Sequence, residues 1–200
     1  MVLASGVAFA AITCPNGVIG YCSGTSGDDT MNGTADSDSL DGLGGNDTMS
    51  GYGDQDFLHG DLDSTIEGPP GDTPSGADTI NGGDRNDVIN GDGGPDTLKG
   101  NAGRDQMDGD YTFDDTMRGS DTVSGNGAAD SLRGGPGRDE LYGGPGNDTV
   151  NAVDGVRDLI INCGTGTEDR VFFDPEDKAV VNSNCEIRNP SEGEPPPGPG

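Results

Sequence analysis

A nine-residue unit repeats along residues 24–151 and limits the possible folds of this chain more than any other feature. GTSGDDTMN at 24–32 and GGPGNDTVN at 143–151 show the pattern: Gly opens the unit, Asp holds the sixth place and an apolar residue holds the eighth. The sixth and eighth places keep this character in 12 of 12 units. A chain that is merely rich in Gly and Asp would not stay in phase over twelve units, so the repeat marks a structural unit.

Two of the units are lengthened without loss of phase. Both insertions open after the second place of a unit, at residues 62–74 and 111–117, and are expected to be surface loops. The units start at Gly24, Gly33, Gly42, Gly51, Gly60, Gly82, Gly91, Gly100, Gly109, Gly125, Gly134 and Gly143. Gly also holds the fourth place in 8 of the 12 units, and the departures are Asp36, Asp54, Arg85 and Ala128.

Within each unit, the first six places favour a turn and the last three favour an extended strand. Gly supplies the positive φ angles that other residues resist, and Thr or Val at the seventh place favours a strand. Side chains alternate along a strand, so the eighth side chain points inward while those at places seven and nine point outward. The pattern predicts short strands that share one narrow apolar core.

These residues resemble the hemolysin-type calcium-binding repeat, the RTX nonapeptide, whose consensus is G-G-x-G-x-D-x-U-x with an apolar residue at U. The resemblance covers residues 24–151. It implies an all-β fold, a parallel β-roll (a β-solenoid) with two units per turn and therefore about six coils. Units of the same parity then stack, which places one column of sixth-place carboxylates along each edge of the roll.

Calcium is the cofactor that the resemblance implies for these columns. Stacked carboxylates about 4.8 Å apart repel each other unless a cation lies between them. Ca²⁺ accepts six to eight oxygen ligands, main-chain carbonyls included, whereas Mg²⁺ demands a tighter octahedron. Five gaps in each of two columns would hold at most about ten ions. The alternative is that each Asp only caps its own turn.

The predicted metal ligands are of two kinds. The side-chain ligands are Asp29, Asp38, Asp47, Asp56, Asp78, Asp87, Asp96, Asp105, Asp121, Asp130, Asp139 and Asp148. The backbone ligands are carbonyls in the Gly-rich turns around Gly24, Gly27, Gly42, Gly45, Gly91, Gly94, Gly100, Gly103, Gly134, Gly137, Gly143 and Gly146. Arg85 places a positive charge in the turn before Asp87, which argues against calcium sites beside Asp87.

Composition decides which partners suit such an array. The net charge is −27 and only 28% of the residues are hydrophobic, values that on their own indicate disorder. A thin solenoid needs only one aliphatic side chain per unit, so the repeat removes that interpretation. The negative charge opposes binding to nucleic acid and favours multivalent cations. Apolar runs stay short of the roughly 18 residues that span a membrane, and we expect a monomer with no transmembrane segment.

The segments that flank the array indicate export and capping. Residues 1–10 suit the remnant of a signal peptide, with cleavage after Ala10 and an export signal that begins upstream of Met1; the alternative is an apolar tail. We predict an N-terminal cap at 11–23 and a C-terminal cap at 152–189, because the open ends of a solenoid need cover. Residues 190–200 are predicted to be a disordered Pro/Gly tail.

All four cysteines flank the array, and none lies inside it. The simplest pairing is Cys14–Cys22 and Cys163–Cys185, one disulfide at each end, although two other pairings are formally possible. Disulfides form in oxidising compartments, so the cysteines favour a secreted, extracellular protein. A zinc site is the alternative, but the chain contains no C-x-x-C motif.

The repeats carry no H-E-x-x-H, G-x-S-x-G, P-loop or dinucleotide motif, and the single histidine, His59, is expected on the surface. We therefore expect a secreted, non-enzymatic calcium-binding protein whose array folds when calcium binds.

Three other functions stay open. One is an extracellular interaction or adhesion module with structural calcium, in which the insertions bind a protein or glycan partner. Another is a fragment of a larger RTX enzyme or toxin. The third is ice binding, because the seventh places of the odd units form a threonine ladder similar to the ice-binding faces of some β-solenoids: Thr30, Thr48, Thr79, Thr97 and Thr122.

Overall fold

The computed structural model describes residues 12–13, 20–61, 76–110 and 119–190. Seventeen short β-strands and one 3-10 helix, Pro175–Ala179, form the regular structure of these residues. No helix in this described part of the chain is long and apolar enough to cross a membrane. The strands are β1 (Ile12–Thr13), β2 (Gly20–Ser23), β3 (Thr30–Asn32), β4 (Asp38–Asp41), β5 (Thr48–Tyr52), β6 (Phe57–His59), β7 (Thr79–Asp84), β8 (Val88–Asn90), β9 (Thr97–Ala102), β10 (Gln106–Asp108), β11 (Thr122–Gly127), β12 (Ser131–Arg133), β13 (Glu140–Tyr142), β14 (Thr149–Ala152), β15 (Ile160–Asn162), β16 (Arg170–Phe173) and β17 (Ile187–Pro190).

Successive units alternate between two parallel sheets. The sheet that holds the odd-numbered units, here the odd sheet, has the order β1-β3-β5-β7-β9-β11-β13-β15. The even sheet has the order β17-β16-β14-β12-β10-β8-β6-β4-β2. Units of the same parity therefore occupy neighbouring strands of one sheet. Their eighth places are paired in register, as Met31 is with Met49 and Met49 is with Ile80. The prediction of an all-β parallel β-roll is confirmed.

The core is a double row of eighth-place side chains between the sheets. Every one of the twelve is at most 1% exposed, while the neighbours at places seven and nine are more exposed. The row consists of Met31, Leu40, Met49, Leu58, Ile80, Ile89, Leu98, Met107, Val123, Leu132, Leu141 and Val150. The alternation of strand side chains predicted this core from the sequence, because only one residue per unit can point inward.

Strands beyond the twelve units extend the stack at both ends. β1 pairs with β3, and β2 pairs with β4. After the last unit, Ile161 lies opposite Leu141 and Val171 lies opposite Val150, and both are fully buried. The segment predicted as a C-terminal cap therefore begins by continuing the roll. Residues 1–10 and 191–200 lie outside the described residues.

The two ends of the chain were also predicted to carry disulfides. Cys163 and Cys185 form the predicted disulfide, and both side chains are buried in the core cluster. The bond joins the end of β15 to the segment that precedes β17. Cys14 lies outside the described residues, so the pairing Cys14–Cys22 stays a prediction.

Some second and fourth places keep a left-handed backbone even where Gly is absent. Tyr52 at a second place has a φ of 77°, and Arg85 and Ala128 at fourth places have φ angles of 74° and 83°. Left-handed backbone costs a non-Gly residue roughly 1–2 kcal/mol, so the stacked turns impose this conformation against local preference. The fourth place is also crowded: a methyl group added to Gly94 would lie 1.8 Å from the carbonyl oxygen of Gly76.

The threonine ladder on the outer face of the odd sheet is in register. Thr30 lies opposite Thr48, Thr48 opposite Thr79, Thr79 opposite Thr97, and Thr97 opposite Thr122. Glu140 ends the ladder on the next strand.

Candidate metal centre

The sixth-place aspartates stack into one column along each edge of the roll. All twelve are at most 5% exposed, although each is an ionisable residue. In both columns Oδ1 accepts a hydrogen bond from the main-chain N–H of the aspartate one coil before, as Asp96 Oδ1 does from Asp78 at 2.8 Å. The odd-edge column is Asp29, Asp47, Asp78, Asp96, Asp121 and Asp139. The even-edge column is Asp38, Asp56, Asp87, Asp105, Asp130 and Asp148.

Both columns continue past the last unit, where Asp158 and Asp169 echo the repeat in sequence but were not predicted as ligands, because the spacing from Gly to Asp is longer there. On the odd edge, Asp158 accepts from the N–H of Asp139, and Asp177 accepts from that of Asp158. On the even edge, Asp169 accepts from Asp148, and Oε2 of Glu186 accepts from Asp169. The available signal was an acidic residue recurring 17 to 21 positions after its counterpart on the same edge.

The second carboxylate oxygen, Oδ2, has different surroundings along the columns. In the first two units it is satisfied, because Thr25 and Thr34 each donate a main-chain N–H to it. In ten other aspartates it is buried and has no hydrogen-bond partner: Asp47, Asp56, Asp78, Asp87, Asp96, Asp105, Asp121, Asp130, Asp148 and Asp169. Turn capping therefore accounts for Asp29 and Asp38 but leaves an unmet acceptor on most of the columns.

A cradle for a cation lies beside these oxygens. A methyl group added to Gly42 would lie 2.1 Å from Oδ2 of Asp47 and 2.3 Å from the carbonyl oxygen of Gly60, one coil further. At ten first-place glycines, a methyl group added in this way would lie 2.1–2.7 Å from the Oδ2 atom of the aspartate and 2.3–3.0 Å from the carbonyl oxygen. These cradles lie at Gly24, Gly33, Gly42, Gly51, Gly60, Gly82, Gly91, Gly109, Gly125 and Gly143. At Gly143 the carbonyl oxygen belongs to Cys163. The missing side chain of glycine thus leaves space at which a carboxylate and a carbonyl from adjacent coils converge.

This donor set fits a hard divalent cation. Calcium takes carboxylate and carbonyl oxygens in flexible geometry. Groups of three or more His, Cys, Asp or Glu side chains with metal-binding geometry are absent from the described residues. The described residues instead offer pairs of a carboxylate oxygen and a main-chain carbonyl oxygen from adjacent coils.

The predicted carbonyl ligands fall into distinct positions. Five of them share a cradle with a sixth-place carboxylate: those of Gly42, Gly91, Gly100, Gly134 and Gly143. Those of Gly45 and Gly94 face the fourth-place glycine of the next coil, and that of Gly146 faces Gly166, which follows the last unit. Gly103 and Gly137 are themselves approached by carbonyl oxygens of the preceding coil. The carbonyl carbon of Gly27 lies against Gly45. Gly24 is the first-place glycine of a cradle.

Arg85, which was expected to disturb the site beside Asp87, has an exposed side chain. Its Nε lies 3.9 Å from Oδ1 of Asp54, the fourth-place residue one coil before. Oδ2 of Asp87 is meanwhile one of the buried oxygens that have no partner. The carboxylate of Asp87 therefore offers the same acceptor as its neighbours in the column.

Burial makes the carboxylates reluctant to ionise without a counter-charge. Desolvation, reinforced by the negative charge of neighbouring aspartates, raises the pKa of Asp96 to about 9 and that of Asp121 to about 8. On the even edge the same causes raise the pKa of Asp87 and Asp130 to about 7. The middle of the odd edge therefore has the strongest need for positive charge.

A parallel roll with buried carboxylate columns facing main-chain carbonyls defines a repeat protein built for cation binding. A family model, the RTX calcium-binding nonapeptide repeat, matches the chain in 4 copies at residues 23–62, 81–110 and 114–150. These ranges cover more than half of the chain, so the protein belongs to the RTX calcium-binding nonapeptide repeat family. A search of curated proteins found no match to the chain.

Proposed function

We propose that this protein is a secreted, non-enzymatic calcium-binding protein whose β-roll folds on binding several Ca²⁺ ions. One observation carries the proposal: ten column aspartates keep a buried carboxylate oxygen that lacks a hydrogen-bond partner. A native fold rarely leaves so many acceptors unmet, since nearly all buried polar groups have partners. Calcium, when bound, would supply the positive charge that satisfies these oxygens.

The balance of free energies supports folding that depends on calcium. Burying one aliphatic side chain contributes about 1.5–3 kcal/mol, and each unit has only one. A buried charge that lacks a partner costs several kcal/mol, so the columns offset most of what the core contributes. The binding free energy of the cations would then become folding free energy.

Secretion and the absence of catalysis are supported by different features. A disulfide between Cys163 and Cys185 suits an oxidising compartment. Extracellular calcium is also high enough for weak calcium modules, which bind in the range of about 10⁻⁴–10⁻³ M. The column carboxylates are buried in the hydrogen-bond ladder between coils. Their role as calcium ligands accounts for them, so no carboxylate pair in the columns needs a catalytic explanation.

Calorimetry with the full chain tests the proposal. Calcium added to protein freed of metal by a chelator should bind at several sites per chain, with a large heat because folding accompanies binding. Magnesium is the control and should produce little heat, since it requires a tighter octahedron than these cradles offer. A flat calcium titration would contradict the proposal.

Ice binding is a second candidate, favoured by the register of the threonine ladder. Five threonines occupy adjacent strands of one sheet at the outward seventh place. Thr30, Thr48 and Thr79 are exposed, and Thr97 and Thr122 are half-buried. An assay for thermal hysteresis in the presence of calcium tests the idea, and Thr79→Lys in the middle of the ladder should abolish any activity. A wild-type protein without activity disposes of this candidate.

Two further alternatives concern the insertions and the full length of the protein. Both insertions leave the odd edge, since residues 61 and 110 each precede an odd strand, β7 and β11. An interaction module would bind its partner at that shared edge. A fragment of a larger RTX protein would be encoded by a longer reading frame than the one that gives this chain. Sequencing of the upstream reading frame separates the second of these from the proposed function.

A further inference from the structure

The second place of the unit, where the family consensus has Gly, is Asp in three odd units that follow one another in the stack. These are Asp61, Asp92 and Asp110, in the units that lead into β7, β9 and β11. The three strands are direct neighbours in the odd sheet. Adjacent coils of a parallel sheet are about 4.8 Å apart, so these aspartates form a short ladder beside the sixth-place column.

All three side chains are buried, and each keeps one oxygen with no hydrogen-bond partner. Their exposures are 1%, 2% and 0%, and the oxygens concerned are Oδ1 of Asp61, Oδ2 of Asp92 and Oδ1 of Asp110. These atoms are additional to the unpartnered Oδ2 atoms of the sixth-place column in the same coils. The excess of unmet acceptors is therefore concentrated on this stretch of the odd edge.

The other oxygens of two of these carboxylates close the bases of the insertions. Asp61 Oδ2 accepts the N–H of Gly76 at 3.0 Å, on the far side of the first insertion. Asp110 Oδ2 accepts the N–H of Gly119 at 2.8 Å, on the far side of the second. Each carboxylate thus has one oxygen committed to its own turn and one oxygen left for another ligand.

The positively charged side chains near the ladder in the described part of the chain do not meet this need. Arg133 is committed to Asp108, whose Oδ2 lies 3.1 Å from its Nη1, and Oδ1 of Asp108 is itself unpartnered. His59 lies close to the ladder, with Nδ1 at 3.6 Å from Oδ2 of Asp92. Among the residues that the structure describes, at most one imidazolium therefore faces the three second-place carboxylates and the sixth-place column behind them.

Backbone conformation alone does not explain aspartate at these positions. A left-handed second place favours Gly, Asn or Asp, and Asp92 does have a φ of 70°. On the even edge the same place holds Asn101 and Asn126, with φ angles of 75° and 71°. Those asparagines are half-buried and exposed, whereas the odd-edge residues are charged and buried. The neutral residue would serve the turn equally well, so the carboxylate points to a charged ligand.

We propose that Asp61, Asp92 and Asp110 form a second column that binds divalent cations of the calcium class, in addition to the ions of the sixth-place columns. Neighbouring carboxylates from two coils supply ligands to each ion, main-chain carbonyls and water supply the rest, and the two gaps admit one or two ions. Binding there holds the bases of both insertions together on one edge. The inference rests on the proposed function, because the ladder exists only in the rolled array.

Native mass spectrometry of the full chain at saturating calcium tests the proposal by counting ions. The variant Asp61→Asn, Asp92→Asn, Asp110→Asn keeps side-chain shape and an acceptor for the N–H groups of Gly76 and Gly119. We expect it to bind one or two fewer ions than the wild type while its circular dichroism at saturating calcium stays unchanged.

A matched control removes three exposed charges elsewhere, with Asp84→Asn, Glu168→Gln and Glu176→Gln. It should bind as many ions as the wild type. An equal count in the triple asparagine variant would overturn the second column, whereas a wild type that binds no calcium would overturn the proposed function instead. If the triple variant fails to fold, Asp92→Asn alone decides the question. Asp92 borders both gaps and holds the base of neither insertion, so its replacement should remove ions without disturbing those turns. An unchanged number of bound calcium ions in this variant would overturn the proposal.

Discussion

Asp96 illustrates how much of this fold depends on one side chain and its peptide unit. Its N–H donates to Oδ1 of Asp121, and its own Oδ1 accepts from the N–H of Asp78, both at 2.8 Å. Its carbonyl accepts the N–H of Thr122 at 2.8 Å. These bonds fix the carboxylate between coils and leave Oδ2 buried without a partner. A single aspartate therefore joins three coils and offers one oxygen to a cation.

The position of an aspartate in its column should set the effect of removing it. Asp96→Ala removes a carboxylate between two coils, and we expect the calcium midpoint of folding to rise about tenfold, or about 1.4 kcal/mol. Asp29→Ala should raise it much less, because Thr25 already satisfies Oδ2 of Asp29. Calcium titrations of the two variants, followed by circular dichroism, check the difference. Equal shifts would show that column position is irrelevant.

The sequence predicted most of this residue-level arrangement but missed its extensions. The sixth and eighth places recur every nine residues. Because side chains alternate along a strand, the eighth places form the core. Because two units make one turn, the sixth places of odd and even units form separate columns. Asp177 and Glu186 were missed because they lie outside any Gly-rich unit. The ladder of Asp61, Asp92 and Asp110 was missed because burial depends on neighbouring coils, and a repeat pattern does not report it.

At the scale of secondary-structure elements, the strands are too short to be stable alone. Most strands contain three or four residues, and each pairs in parallel with a strand one coil away. Stability must therefore come from stacking, which makes the last coils the weakest part of any solenoid. The disulfide between Cys163 and Cys185 lies in these last coils, and the two cysteines are 22 positions apart in sequence.

The removal of that disulfide should weaken the C-terminal end of the roll. Closing a loop of this size restricts the unfolded chain by about 3 kcal/mol, so the double variant Cys163→Ser, Cys185→Ser should unfold at lower temperature in saturating calcium. Thermal unfolding followed by circular dichroism measures the change. Wild-type protein in reductant provides a comparison in which no side chain is altered. An unchanged unfolding temperature would show that the disulfide does not stabilise the last coils.

At the scale of the whole molecule, charge dominates the energetics. The net charge of −27 resides on a chain whose core is only a double row of side chains. Calcium and protons can both remove negative charge from the columns, and they compete for the same oxygens. The effect of pH should therefore have opposite signs for metal-free and calcium-bound protein.

In excess chelator, acid should stabilise the roll. Burial raises the pKa of Asp78, Asp96 and Asp121 from an ordinary value of 3.8 to about 7, about 9 and about 8. Groups raised in this way contribute stability fully below pH of about 4, and lose it as the pH rises through about 7–9. We expect β content to increase as the pH of chelated protein falls from 8 to 5. A fall in β content over that range would contradict this linkage.

With calcium present, the same acidification should weaken binding. Protons occupy carboxylate oxygens that calcium needs, so the calcium midpoint should rise as the pH falls from 8 to 5. Titrations at both pH values, in buffers of equal ionic strength, measure this shift. A midpoint that is independent of pH would place the bound ions away from these carboxylates.

Far-UV circular dichroism against free calcium tests the central claim most directly, with magnesium at equal ionic strength as the control. We expect a largely unfolded spectrum in excess chelator at pH 8. Added calcium should produce a cooperative change to a β-rich spectrum, and magnesium should not reproduce it. A spectrum that is β-rich in chelator and unchanged by calcium would contradict the claim that calcium folds this array.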